Sequence, residues 1–232
     1  MKSETNTAKL IVAATPIDGD WRKLDSRLIE AIRAAKLLIA EEQKTGLRFL
    51  AAAESVDTPL RLLNEHSTDA DRLELVQIVR ETELTVFVSD AGTPCIADPD
   101  YRFVDLCIKA GVELKSIPGP TSITAALSVA GFSTDRFIFM GFPPRDKAKR
   151  KAFFAELAAT KYTAVFLERP YAMRQTLEDM LVIKQPVSLS IALGTEAEQN
   201  VRGNVREIMA KVEIVKQAFA VVVSANNRYC ET

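Results

Sequence analysis

The residue types suited to chemistry concentrate in Thr85–Tyr101, TVFVSDAGTPCIADPDY. The apolar, β-branched run from Thr85 to Val88 reads as a buried strand. It breaks at once into Ser89, Asp90, Ala91, Gly92, Thr93 and Pro94, which are small, polar or turn-forming. Gly92 lets a backbone approach a ligand closely, and Pro94 stiffens the exit. Asp98-Pro99 reads as a helix start, with Asp98 as N-cap and Pro99 in the first helical position. A polar loop at the carboxyl end of a buried strand is where open α/β sheets bind ligands, although an ordinary strand-to-helix connection has the same make-up. Thr121-Ser122 opens a second candidate segment, the apolar helix ITAALSVAG. Hydroxyls there cap the helix, and the free N–H groups beside them also accept a carboxylate. His66 is the single histidine. An imidazole can serve proton transfer or a plain surface role.

The elements around these loops follow from periodicity. Lys9–Ala14 is a strand, the turn Thr15–Asp20 follows, and Leu28, Ile29, Ile32 and Ala35 share one helix face. Leu37–Ala40 is a second strand, and a strand–loop–helix–strand opening begins a parallel α/β sheet. Further helices are expected over 47–53, 69–80, 101–110, 145–157, 171–181 and 204–212. Further strands are expected over 112–117, 136–142, 162–167, 187–193 and 218–224. The rigid turn Pro118-Gly119-Pro120 marks a boundary between two α/β domains, 1–117 and 118–232.

Composition narrows the class. The chain has 232 residues, 47% hydrophobic and 26% charged, which suits a folded domain pair and excludes disorder. Thirty basic against 31 acidic residues leave a net charge of −1, so nucleic acid could be bound only through a local basic patch. Arg145, Lys147, Lys149, Arg150 and Lys151 form that cluster. It reads as a solvated helix face or as a phosphate-contacting patch. Cys95, Cys107 and Cys230 are too few and too scattered for a disulfide framework or a metal-ligand pattern, and a reducing cytoplasm is expected. No stretch approaches the roughly 20 apolar residues of a membrane span.

The SDAGTP loop with its following Asp-Pro pair resembles the tetrapyrrole methylase superfamily. It is most similar to the bacterial enzymes that methylate a cytidine ribose 2′-hydroxyl of 16S ribosomal RNA. The likeness runs nearly end to end, through Thr15-Pro16-Ile17, Glu41, IPGPTSITAALSVAG, Phe142, Pro144, Phe166 and Glu168. It implies two α/β domains of the tetrapyrrole methylase type with the cofactor cleft between them. It implies S-adenosylmethionine as cofactor, touching Pro16, Ser89, Asp90, Ala91, Gly92, Thr93, Ile96, Thr121, Ser122, Leu167, Leu193 and Ala218. A homodimer is implied, with ribosomal RNA contacted through Arg145–Lys151. Methyl transfer would be an in-line displacement at the sulfonium, needing no metal. Glu41, His66, Asp90 and Glu168 are the residues that could take the hydroxyl proton. Loops expected to face substrate depart from the family. Asp18-Gly19-Asp20, Glu42-Gln43-Lys44, Asn64, Tyr171-Ala172 and the run Leu193–Gln199 carry other residues than the relatives do. Two other readings are a methylase of a tetrapyrrole or other small molecule, and a cofactor-binding protein with weakened catalysis.

Overall fold

A computed structural model of the chain describes residues 8–97 and 100–225. The chain divides into two compact units, Met1–Thr121 and Ser122–Thr232. The expected helix start at Asp98-Pro99 and the third cysteine, Cys230, lie outside the described residues.

Unit 1 is a parallel sheet of five strands, β1 Lys9–Ala13, β2 Leu37–Ala40, β3 Leu60–Leu62, β4 Leu84–Val88 and β5 Glu113–Ile117, in the order β3-β2-β4-β1-β5. Its helices are α1 Ser26–Ala34, α2 Gln43–Ala52, α3 Asp69–Glu81 and α4 Tyr101–Lys109. The central strands β2 and β4 are apolar on both faces because both are covered. Leu38, Ala40, Val86 and Val88 pack with Leu28, Ile32, Phe49 and Leu50 of α1 and α2. Leu37, Ile39 and Phe87 pack on the opposite face with Leu75, Val79, Phe103 and Cys107 of α3 and α4. Asp25 caps α1 through the Arg27 amide, and Thr68 with Asp71 forms a reciprocal capping box on α3.

This wiring fixes where a ligand can bind. β1 and β4 are neighbours, yet α1 after β1 covers one face and α4 after β4 covers the other. The chain therefore leaves these two strands toward opposite faces, as at the topological switch point of an open parallel sheet.

Unit 2 is a mixed sheet of β6 Phe137–Phe139, β7 Thr163–Glu168, β8 Val187–Ile191, β9 Gln199–Gly203 and β10 Phe219–Val223, in the order β6-β7-β10-β8-β9. β6 runs parallel to β7, and the other neighbours are antiparallel. Helix α5 Ser122–Ala130 covers one face through Ile123, Ala126, Leu127 and Ala130. The other face carries α6 Lys147–Ala159, α7 Met173–Asp179 and α8 Val205–Lys211, where Phe153, Phe154 and Phe166 meet edge to face at 5.3–5.9 Å.

The strand expected over 136–142 is regular only over Phe137–Phe139; Met140 and Gly141 still bond to β7, through Val165 at 2.8 Å and Leu167 at 3.0 Å, and the regular backbone ends where Gly141 takes φ +71°. β3 and β9 were not expected as strands, and both lie at sheet edges. Among the described residues, no helix is long and apolar enough to cross a membrane.

Candidate active site

The unit 1 loops that leave the carboxyl ends of the strands come together. Thr15, after β1, donates its amide to the Gly92 carbonyl at 2.8 Å, and the Gly92 amide returns to the Thr15 carbonyl at 3.2 Å. The buried Thr15 hydroxyl reaches the Ser89 and Gly92 carbonyls, and the Ser89 hydroxyl also donates to Gly92. Ser89 thus braces the loop from inside. Thr93 donates to the Pro120 carbonyl at 3.2 Å, which joins the SDAGTP loop to the Pro118–Pro120 turn. That turn lies so close to β1 that a Cβ on Gly119 would stand 2.9 Å from the Ala14 Cβ. Gly92 holds φ +84°, and Cys95 and Ala97 also take positive φ, at 66° and 70°. Such backbone strain in a loop at a strand end is characteristic of binding sites.

Beside this crossing lies a cavity of about 330 Å³, lined by Glu41, Glu42, Asn64, Glu65, His66, Asp90, Ala97 and Asp100. Three of the four candidate proton acceptors, Glu41, His66 and Asp90, meet there. They come from the ends of β2, β3 and β4, far apart in sequence and adjacent in the sheet. Asn64 ties two of these loops together by donating its side-chain amide to the Glu41 carbonyl at 3.2 Å. His66 projects outward, with a side chain 86% exposed and Nε2 3.8 Å from Glu65.

Asp90 is the group under most tension. Its Oδ1 is buried with no hydrogen-bond partner. Burial, and next the Glu42 carboxylate, push its carboxyl above the ordinary range, while the Thr45 side chain and the Glu42 amide act against the rise. A buried acceptor that the protein leaves unmet is a place for a donor from outside. Among the described residues, no three His, Cys, Asp or Glu side chains are placed to hold a metal ion. The cavity is therefore an acceptor-lined recess, suited to hydroxyl, amine or cationic groups rather than to phosphate.

Glu168 does not join this group. It lies in unit 2 with a side chain 0% exposed, accepting from Arg150 Nη1 at 2.9 Å, the Thr176 hydroxyl at 2.9 Å and the Arg169 amide at 2.9 Å. Its oxygens are occupied by structural partners, so it is an anchor and not a free base. Arg150 is likewise turned inward rather than belonging to the exposed basic face, which keeps Arg145, Lys147, Lys149 and Lys151.

The remaining candidates of unit 2 gather at one end of its sheet. Leu167 is the penultimate residue of β7, Leu193 follows β8 and Ala218 precedes β10, where Phe219 pairs with both Glu168 and Ile191. Leu167 and Leu193 pack against the α5 cluster, and Ser122 opens that helix. In unit 1, Pro16 and Thr121 are half-buried, and Ala91 and Ile96 are exposed. The run Leu193–Gln199 is a self-contained turn. Glu198 accepts from the Gly194 amide and the Asn200 side chain, both at 2.8 Å, and these hold its carboxyl below the usual range. The Cys107 thiol is buried and pushed up to about 12, which leaves it inert.

Sequence reasoning placed Glu42 and Asn64 in substrate-facing loops without seeing the Asn64 tie, and it missed Glu65 and Asp100. Their signal was positional, since each follows the carboxyl end of a strand of the same parallel sheet.

Residues 9–209 match the family model for Tetrapyrrole (Corrin/Porphyrin) Methylases. The Ribosomal RNA small subunit methyltransferase I of Halalkalibacterium halodurans is 32% identical over 226 residues, covering 96% of this chain and 78% of that protein. The protein of that name from Thermotoga maritima is 31% identical over 217 residues, covering 93% and 96%. Among solved structures, the uroporphyrin-III-C-methyltransferase of Thermus thermophilus superposes with a TM-score of 0.59 at 18% identity, covering 93% of this chain and 94% of that one. A cobalt precorrin-4 methyltransferase gives 0.62 at 16% identity, covering 93% and 95%. Those two likenesses speak for the fold, while the family match and the sequence relatives carry the assignment. The chain belongs to the tetrapyrrole methylase family of S-adenosylmethionine-dependent methyltransferases, and within it to the ribosomal RNA small subunit methyltransferase I proteins.

Proposed function

We propose that the chain transfers a methyl group from S-adenosylmethionine to a ribose 2′-hydroxyl of small-subunit ribosomal RNA. The observation that carries this reading is the buried, unpartnered Asp90 Oδ1 beside the Thr15–Gly92 crossing, in a chain whose relatives are named as ribosomal RNA methyltransferases. S-adenosylmethionine supplies an activated methyl on a sulfonium whose thioether is a good leaving group. The residues present fit such a cofactor: a strained Gly92 loop offers backbone approach, and carboxylates nearby suit its hydroxyls and positive charge. In unit 1 it would be held by Pro16, Ala91, Gly92, Thr93, Ile96 and Thr121, with Ser89 as an internal brace and Asp90 facing the cavity. In unit 2 the candidates are Ser122, Leu167, Leu193 and Ala218. Asp90 is our choice of proton acceptor, since its held-up proton affinity and unmet oxygen suit it to take the hydroxyl proton. Glu41 and Asn64 position its neighbours, and His66 stands at the rim. We place the domain boundary in the Pro118-Gly119-Pro120 turn. We further propose that the enzyme works in the cytoplasm as a homodimer.

Radiolabelled methyl transfer tests the reading directly. Label should appear in 16S ribosomal RNA or the small ribosomal subunit, resistant to alkaline hydrolysis at one nucleotide step. Label in a tetrapyrrole and none in RNA would replace the acceptor. Binding of cofactor without transfer to any acceptor would leave a cofactor-binding protein.

A substitution at Gly92 probes the cofactor loop. At φ +84° a β-branched residue is a true outlier, costing about 1–3 kcal/mol. A Cβ there would stand 3.7 Å from Ile17 Cγ2 and 3.8 Å from the Pro120 oxygen, which is ordinary contact, so the cost is conformational. Gly92→Val should weaken S-adenosylmethionine binding by about tenfold or more in titration calorimetry, the equivalent of about 1.4 kcal/mol. Gly92→Asn, which tolerates that φ, should lose much less. Parent-like affinity in Gly92→Val would move the cofactor away from this loop.

A further inference from the structure

The turn after β7 carries an arrangement that the methyl-transfer site does not use. Tyr171 is 81% exposed, so its ring contributes almost nothing to the core. It sits in the tight turn Arg169–Ala172, closed by the Ala172 amide on the Arg169 carbonyl at 3.1 Å. The Lys216 ammonium lies over its ring at 6.0 Å. At the other end of the turn, the Arg169 guanidinium lies over Phe142 at 5.4 Å and donates to the Pro143 carbonyl at 3.3 Å. Phe142 is itself 38% exposed. Two exposed rings are thus each paired with a cation and joined by one four-residue turn. Glu168, the acid next in sequence, is fully buried and shared between Arg150 at 2.9 Å and Arg169 at 3.5 Å, so two cations face one carboxylate and the turn keeps a positive excess. The exposed cations Arg145, Lys147 and Lys149 follow Phe142 along the chain.

Alternating rings and cations are what an unpaired nucleic acid strand meets on its binding proteins, with bases stacking on the rings and phosphates on the cations. A duplex hides its base faces and can use only the cations. A protein surface would gain little from cations laid over exposed rings, with further exposed cations following Phe142 along the chain, whereas a polyanion is complementary to them. We propose that Tyr171 and Phe142, with Arg169 and Lys216, form a stacking platform for unpaired nucleotides of the RNA flanking the methylated site. This rests on the RNA acceptor proposed above and deepens it. The platform stands at the same end of the unit 2 sheet as Leu167, since the Leu167 amide bonds the Gly141 carbonyl just before Phe142.

The test uses the full chain and fluorescence anisotropy, with a labelled oligocytidine single strand and an RNA duplex of equal length, over a salt series. Tyr171→Ala should weaken single-strand binding about tenfold, with duplex binding unchanged. Tyr171→Phe, which keeps the ring, should bind like the parent. Lys216→Gln should lower the salt slope by about one, and Tyr171→Ala should leave the slope alone. Because Tyr171 is exposed, the circular dichroism spectrum of each variant should match the parent. Parent-like single-strand binding by Tyr171→Ala overturns the platform and leaves the RNA acceptor standing, as does an equal loss on strand and duplex. A parent chain that binds neither RNA overturns the platform together with the acceptor.

Discussion

Asp90→Asn should yield an enzyme that is more stable than its parent and nearly inactive. The two effects have one cause. Burial and the Glu42 carboxylate hold the Asp90 carboxyl above its ordinary range, so the folded chain favours the protonated form. The sign follows from linkage. A group whose folded pKa is raised adds stability that is fully present below its unfolded value, about 3.9, and lost as pH rises through the folded value. At neutral pH the charged group therefore burdens the fold. Asparagine has nearly the same shape and no charge, so the melting temperature of the variant should exceed that of the parent. The gap should be widest at neutral pH and close in acid, where the parent itself becomes protonated. Asparagine cannot take a proton, and a positioned base contributes about 10²- to 10⁴-fold to rate. Methyl transfer at saturating cofactor should fall by that range. Substitutions that stabilise at the expense of activity mark sites shaped for function. Normal turnover in Asp90→Asn would move the base to Glu41 or His66. A lower melting temperature would show that the carboxylate supports the fold.

The legible part of the fold was the part with strong local signals. Leu37–Ala40 and Phe219–Val223 are covered on both faces, so they show as unbroken apolar runs. β3 has three residues, two of them exposed, and β9 reads Gln-Asn-Val-Arg-Gly; both are edge strands, which need no apolar run. The SDAGTP loop was legible because Ser, Asp, Gly and Pro cluster after a buried strand. The cavity was not, because Glu42, Asn64 and Asp100 become neighbours only through the strand order β3-β2-β4-β1. Arg150 was hidden by its surroundings. In a run of four other cations it reads as one more surface charge. Yet it stands at i to Phe153, Phe154 and Leu157 at i+3, i+4 and i+7, the spacing of one buried helix face. That spacing was in the sequence, and the charge run masked it.

The consequence for Arg150 is a large loss of stability from a single basic residue. Its side chain is 12% exposed, and its guanidinium makes three directed contacts. Nη1 reaches Glu168 at 2.9 Å, Nε reaches Asp179 at 2.6 Å and Nη2 reaches the Thr176 hydroxyl at 2.8 Å, and Cζ lies over the Phe154 ring, 5.2 Å from its centroid. These contacts fasten α6 to the end of β7 and to α7. Removing one partner of a buried ion pair costs about 3–5 kcal/mol, because the other charge stays buried without compensation. Arg150→Ala should therefore unfold at clearly lower urea concentration than the parent, followed by far-ultraviolet circular dichroism. Arg150→Lys should fall between them, since an ammonium cannot serve three acceptors in the geometry of a planar fork. Arg150→Met combined with Glu168→Gln should recover part of the loss, because it removes both buried charges. Lys149→Ala, one residue away and exposed, should change stability by no more than about 0.5 kcal/mol. The salt slope of RNA binding separates this role from a phosphate contact. A slope unchanged by Arg150→Lys fits an inward anchor. A stability equal to the parent's in Arg150→Ala, together with a slope lowered by about one, would return Arg150 to the surface patch.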